Sequence, residues 1–256
     1  MTTVEARNAR PDLLAVRRFA SRSAMGEAAA ADIAAELRQR LSRQPHVRMI
    51  FAAAPSQAET LAAVVASTGI DWRRVTAFHM DEYVGLPAGA PERFAAWLDR
   101  HLFTLLPFHA VHRLVPEPSP QQATLAYAAK LAEAPIDLVC LGIGVNGHIA
   151  FNDPPVADFN DPVDVKLVDL DAVCRQQQVD DDCFSTLADV PMQALTLTIP
   201  RLLRADRLFC VVPGAAKRDA VRHTLTGPID AACPASILRT HADCTLYLDA
   251  ESDPNG

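Results

Sequence analysis

Four short stretches of this chain join residue types that can move protons or hold an anion. Asp81 and Glu82 are adjacent carboxylates that follow the apolar run 75–78 after His79 and Met80, and burying either without a partner is costly. His148 follows three glycines, Gly142, Gly144 and Gly147, at the end of the apolar run 136–141, with Asn146, Asn152 and Asp153 close by. Lys217 closes the stretch Pro213-Gly214-Ala215-Ala216-Lys217, and Ser56 and Gln57 follow Ala52-Ala53-Ala54-Pro55. A carboxylate and a histidine suit general acid–base work. A lysine or serine where a strand hands over to a helix suits a phosphate, because the free N–H groups of the helix start act on the same anion. Each has a plainer reading beside it: a solvated acidic turn for 81–82, a helix cap for Ser56, an exposed side chain for Lys217.

Such residues need a scaffold that brings loop ends together, and the hydrophobic pattern supplies one. Short apolar runs at 13–19, 47–54, 75–78, 111–115, 136–141, 194–199, 207–212 and 245–248 read as strands of one sheet, with 111–115 at its edge. Helical spacing recurs at 25–40, 58–67, 91–105, 124–132, 200–204, 218–225 and 234–238. Alternation of this kind predicts an α/β fold, and in open α/β sheets ligands gather at the carboxyl ends of the strands. Between Pro154 and Pro191 no regular element is evident, and this stretch, with the run 174–182, reads as a lid over the loop or as a solvated excursion. The tail 251–256 reads as frayed.

The glycine loop matches G-x-G-x-x-G literally, but a dinucleotide site needs a helix to start at the third glycine, and Pro154-Pro155 block one. At 256 residues the chain fits a single domain spanning 1–256, with half its residues hydrophobic and 21% charged. A net charge of −7 with no Lys/Arg run argues against nucleic acid or an anionic membrane as partner. No signal-peptide pattern opens the chain and no apolar run approaches the roughly 18 residues of a membrane span, so a cytoplasmic protein is expected. Six cysteines, Cys140, Cys174, Cys183, Cys210, Cys233 and Cys244, lack any C-x-x-C pair and read as buried thiols rather than disulfides or a metal site.

With FHMDEYVGL at 78–86, GIGVNGHIAFNDP at 142–154 and PGAAK at 213–217, the chain resembles the glucosamine-6-phosphate deaminase family from about residue 13 to residue 248. The resemblance implies a Rossmann-like α/β/α sandwich shared with 6-phosphogluconolactonases and ribose-5-phosphate isomerases. It also implies a reaction that opens the sugar ring, moves a proton from carbon 2 to carbon 1 and releases ammonia from a hexosamine 6-phosphate, with no metal or organic cofactor. By the same resemblance Asp81 is the general base, with Glu82 contributing, and His148 moves a proton on the ring oxygen. Lys217, Ser56 and Gln57 hold the phosphate, Gly144 and Gly147 bring backbone close to the sugar, and Arg175 is the candidate lid arginine.

Three positions depart from the family pattern. Its aspartate two residues before the histidine is Asn146, which keeps an acceptor but removes a charge that would stabilise an imidazolium. Its glutamate after Phe-Asn is Asp153, and its glycine-rich phosphate loop is 53–57. A 6-phosphogluconolactonase-type hydrolase and a sugar-phosphate sensor without turnover are the alternatives. Asp81-Glu82-Tyr83 and Gly147-His148-Ile149-Ala150-Phe151 lean toward the deaminase branch. Between Asn152 and Val165 no Arg or Lys is present to hold a second phosphate, so allosteric control by an acetylated amino-sugar phosphate is not expected. The pattern leaves the oligomeric state open, a homo-oligomer included.

Overall fold

A computed structural model describes residues 13–256. In chain order its elements are β1 (Ala15–Arg18), α1 (Arg22–Leu41), β2 (Val47–Phe51), α2 (Ala58–Val65), β3 (Val75–His79), β4 (Asp81–Val84), α3 (Phe94–Leu98), β5 (Ala110–His112) and α4 (Pro120–Ala132). They continue with β6 (Leu138–Leu141), β7 (Val165–Asp169), α5 (Ala172–Asp180), β8 (Gln193–Leu197), α6 (Ile199–Leu203), β9 (Arg207–Val212), α7 (Arg218–Thr226) and β10 (Cys244–Leu248).

Seven strands form one parallel sheet in the order β1-β10-β9-β6-β2-β3-β5. Its inner strands read as unbroken apolar runs because both faces are covered. Met49, Phe51, Leu138, Cys140, Phe209 and Val211 pack with Ile33, Leu37, Leu61 and Leu98 of α1, α2 and α3. The alternate residues Ile50, Val139, Leu141, Leu208 and Cys210 pack with Tyr127, Leu202 and Val221 of α4, α6 and α7. The expected three-layer sandwich is therefore present, and β5 lies at the sheet edge as expected. Strand order reverses between β2 and β6, and at such a switch point the loops diverge and leave a crevice.

The expectation of one sheet needs correction. The run 194–199 forms β8 outside the main sheet; with β4 and β7, two strands not expected from sequence, it builds a small antiparallel sheet ordered β4-β8-β7. Apolar content alone did not separate β8 from the main sheet, because Leu195 and Leu197 are as buried as any main-sheet residue. The stretch after Pro154 is also not structureless: it contains β7 and α5. The tail is tied down rather than frayed. Ser252 is fully buried, its N–H donates to Asp249 Oδ1 at 2.8 Å, and Asp253 pairs with Arg18 at 2.9 Å.

Candidate active site

The carboxyl ends of four neighbouring strands, β9, β6, β2 and β3, open onto one cleft. Ser56, Gln57, Asp81, Gly144, His148 and Lys217 line it together.

The β6 loop is shaped by its glycines. Gly147 sits at φ 84°, in the left-handed region that glycine occupies without strain, and its N–H donates to the Gly144 carbonyl at 3.0 Å. A Cβ on Gly144 would fall inside the imidazole of His148, so only glycine lets the ring lie against the loop. Phe151 N–H donates to Thr196 Oγ1 at 3.0 Å and Asn152 Nδ2 to the Leu197 carbonyl at 2.8 Å, which pins the loop to β8. No helix follows Gly147, in keeping with the rejection of a dinucleotide site.

Beneath the ring lies a compact polar relay. His148 Nδ1 is 2.8 Å from Asn146 Oδ1 and 3.0 Å from Asp153 Oδ1, while Asn146 Nδ2 donates to Asp153 Oδ1 at 2.9 Å. With Nδ1 carrying the proton toward these acceptors, Nε2 is the basic nitrogen. Burial pushes the Asp153 pKa up, but His148 and Asn146 outweigh it and hold the carboxyl below its ordinary value. Donor atoms of His148, Asp153 and Cys174 lie within 4.8 Å of one another, the one such His/Cys/carboxylate trio among the described residues. His148 and Asp153 are already paired, and burial followed by Asp153 raises the Cys174 pKa, so this sulfur stays a thiol rather than a metal-ligating thiolate. All six cysteines are free.

Asp81 faces the cleft from the first position of β4, 7% exposed, and its carboxylate makes no hydrogen bond among the described residues. Burial, and then the neighbouring Glu82 charge, push its pKa well above the ordinary carboxylate value. The turn that presents it is held by His79. Nε2 of His79 accepts from Leu114 N–H at 2.8 Å, so Nδ1 carries the proton and donates to the Asp81 carbonyl at 2.9 Å. Burial lowers the His79 pKa to about 4, which keeps the ring neutral.

Glu82 points the other way, as the alternation of a strand requires. Its carboxylate accepts from Tyr83, Phe94 and Ala95 N–H at 2.9, 3.1 and 3.0 Å, which caps α3. Burial pushes its pKa up to about 7 against these amides and Arg93. It does not line the cleft, so a direct substrate contact is not what the structure gives it. Arg175 is likewise elsewhere: its Nη2 donates to the Leu187 and Val190 carbonyls at 2.6 and 2.9 Å.

Lys217 ends a tight turn before α7, is 5% exposed, and its Nζ finds no hydrogen-bond partner among the described residues. Burial lowers its pKa, with Asp181 opposing. A buried ammonium without a partner is unfavourable unless an anion arrives. Ser56 does not cap α2, whose start makes no side-chain cap bond; instead Gln57 Nε2 donates to Ser56 Oγ at 3.3 Å and to the Val211 carbonyl at 3.1 Å. Gln177, Gln178, Asp181 and Phe94 also line the cleft and were not singled out from sequence. The usable signal was the spacing of Cys174, Gln177 and Gln178, which shares one helix face.

Fold and cleft together define an α/β protein with a small-molecule site at the switch point of its parallel sheet, carrying a carboxylate, a histidine relay and an anion-seeking lysine. The sequence profile of glucosamine-6-phosphate isomerases/6-phosphogluconolactonase matches residues 20–168, and the chain belongs to that family. It is 34% identical over 207 residues to the glucosamine-6-phosphate deaminase of Listeria monocytogenes serotype 4a (strain HCC23), covering 80% of this chain and 86% of that one. Its identity to the protein of the same name from Exiguobacterium sibiricum is 34% over 184 residues, 72% of this chain and 71% of that one. Among solved structures, one described as a monomeric glucosamine-6-phosphate deaminase superposes with a TM-score of 0.85 at 24% identity, covering 93% of this chain and 98% of that one. The 6-phosphogluconolactonase of Thermotoga maritima gives 0.76 at 16%, covering 92% and 99%. At these identities the two structures speak to the fold.

Proposed function

We propose that this chain is an amino-sugar 6-phosphate deaminase/isomerase that converts glucosamine 6-phosphate into fructose 6-phosphate and ammonia. The observation that carries the reading is the meeting of three groups on one cleft: an unpaired buried carboxylate, Asp81, a histidine with its basic nitrogen free, and an unpaired buried lysine. The similarity to curated deaminases supports it.

Lys217, with Ser56 and the N–H groups of the turn before α7, anchors the phosphate. His148 Nε2 moves the proton between the anomeric hydroxyl and the ring oxygen, so that the ring opens to the aldehyde. Asp81 removes the proton on carbon 2 and returns it to carbon 1; the imine left at carbon 2 adds water and expels ammonia. A carboxylate whose pKa burial and then the Glu82 charge raise above its ordinary value suits this task, since a stronger base takes a carbon-bound proton more readily. Asp153 and Asn146 stabilise the charge that develops on His148. The six free thiols support a cytoplasmic setting.

The test measures ammonia and ketose phosphate separately after addition of glucosamine 6-phosphate, with 6-phosphogluconolactone hydrolysis assayed in parallel. Equimolar release of both products is expected, falling by about 10²-fold or more in Asp81→Asn. Release of neither product, or an Asp81→Asn variant as active as the parent, rejects the assignment. Lactone hydrolysis above the spontaneous rate would replace it with the hydrolase reading.

A further inference from the structure

Helix α5 carries the run 174–182, which the acid–base site leaves unassigned. Its arginine, Arg175, is engaged by two backbone carbonyls away from the cleft. The helix positions that line the cleft are Gln177 and Gln178, and their amides differ. Gln177 is satisfied at both ends: Oε1 accepts from Val145 N–H at 2.9 Å and Nε2 donates to Asp181 Oδ2 at 3.2 Å. Gln178 is satisfied at one end only. Its Oε1 accepts from Tyr83 Oη at 2.7 Å, and its Nε2 finds no acceptor among the described residues.

The Tyr83 contact also fixes which way the amide faces. Tyr83 is fully buried, burial keeps its phenol neutral, and Gln178 is the one hydrogen-bond partner of its hydroxyl among the described residues, so the O–H donates to the amide oxygen. The amino group is thereby turned to the other side, on a residue 7% exposed at the cleft wall. An amino group placed there is open to the cleft, where a ligand oxygen can replace water as its acceptor.

We propose that Gln178 is a substrate-binding residue, donating from Nε2 to an oxygen of the bound sugar phosphate, with Tyr83 as its positioning residue. The inference rests on the sugar-phosphate reading above. Lys217 is the single Lys or Arg among the cleft-lining residues, against the carboxylates of Asp81 and Asp181. An oxygen-rich anionic ligand in such a cleft draws its remaining contacts from neutral donors. Gln178 takes the place on α5 that the sequence reading gave to Arg175.

The experiment titrates 2-amino-2-deoxysorbitol 6-phosphate, the reduced open-chain form of the substrate, by calorimetry, and in parallel measures KM and kcat on glucosamine 6-phosphate. Gln178→Met is expected to weaken binding and raise KM by about tenfold or more, with kcat within a few-fold. Gln178→Glu is weaker still, since it puts an acceptor where a donor is needed, and Tyr83→Phe falls between the parent and Gln178→Met. Arg175→Met lowers Tm but binds like the parent. Well-folded Gln178→Met and Gln178→Glu variants that bind like the parent overturn the proposal, as does an Arg175→Met variant that loses affinity, or a parent protein that does not bind the analogue. A parent that binds the analogue yet releases no ammonia rejects the deaminase reading, while the Gln178 comparison is still decided by the affinities.

Discussion

At the scale of residues, two adjacent carboxylates divide their labour through strand alternation. Asp81 and Glu82 differ by one position, so one faces the cleft and the other caps α3. Because burial and the Glu82 charge raise the Asp81 pKa, the acidic limb of kcat/KM is expected above the ordinary carboxylate range. In Glu82→Gln the like charge is gone, the ionised base is less disfavoured, and the limb moves to lower pH; a pH–rate profile of the two proteins checks the direction. Lys217 supplies a second prediction. Its charged form is disfavoured by burial, so Lys217→Met is expected to stabilise the free protein by about 1–2 kcal/mol. A lowered lysine pKa gives the sign: the penalty is full below the folded pKa and disappears above the unfolded value of about 10.4, so the gain is read by thermal melting at neutral pH. On the proposed role of Lys217 as the phosphate anchor, the same variant is expected to lose about 10- to 100-fold in kcat/KM. Asn146 looked from sequence like a lost charge. In space Asp153 Oδ1 stands 3.0 Å from His148 Nδ1 and supplies that charge itself, a fact that depends on how the loop folds back over five residues.

At the scale of elements, the β6 loop was the most legible part of the chain. Its glycines, histidine and Asn-Asp pair lie within a dozen positions, so local geometry largely determines their meeting. Gly144→Ala is expected to keep the fold, as far-UV circular dichroism would report, while displacing the His148 ring and lowering kcat by about 10²-fold. Retention of full kcat would mean that the ring does not work from this position. Helix α5 was the least legible. Its residues are polar, its helical pattern weak, and it gains its place from contacts distant in sequence, such as Gln178 with Tyr83 on β4. Arg175 and Gln178 are both polar residues of one short helix, and only the helix's rotation against β4 distinguishes the one facing the cleft.

At the scale of the whole molecule, the carboxyl-terminal tail braces the turn that carries Lys217. Asp249, just after β10, accepts from Gly214 N–H through both oxygens at 3.1 Å, and Ser252 holds Asp249 in turn through its N–H at 2.8 Å. Asp253 reaches Arg18 on edge strand β1. Removing residues 251–256 is therefore expected to destabilise the protein by about 1–3 kcal/mol, a drop of several degrees in Tm, and to lower kcat/KM through the turn that carries Lys217. A truncated protein with unchanged melting and activity would show that the tail only rests on the surface.

Sequence by itself determined the layered α/β class, the order of most elements, and part of the cleft lining: Asp81, His148, Ser56, Gln57, Gly144 and Lys217. Those follow from hydrophobic periodicity and from residues close together in the chain, which local sterics and burial control. Tertiary structure alone decided that β4 and β8 pair in a second sheet, that the tail is anchored, that Glu82 and Arg175 turn away from the cleft, and that Gln178 turns in. Each of these depends on which buried polar group finds a partner across tens of residues, and hydrogen-bond satisfaction in a packed interior is a property of the whole arrangement rather than of any window of sequence.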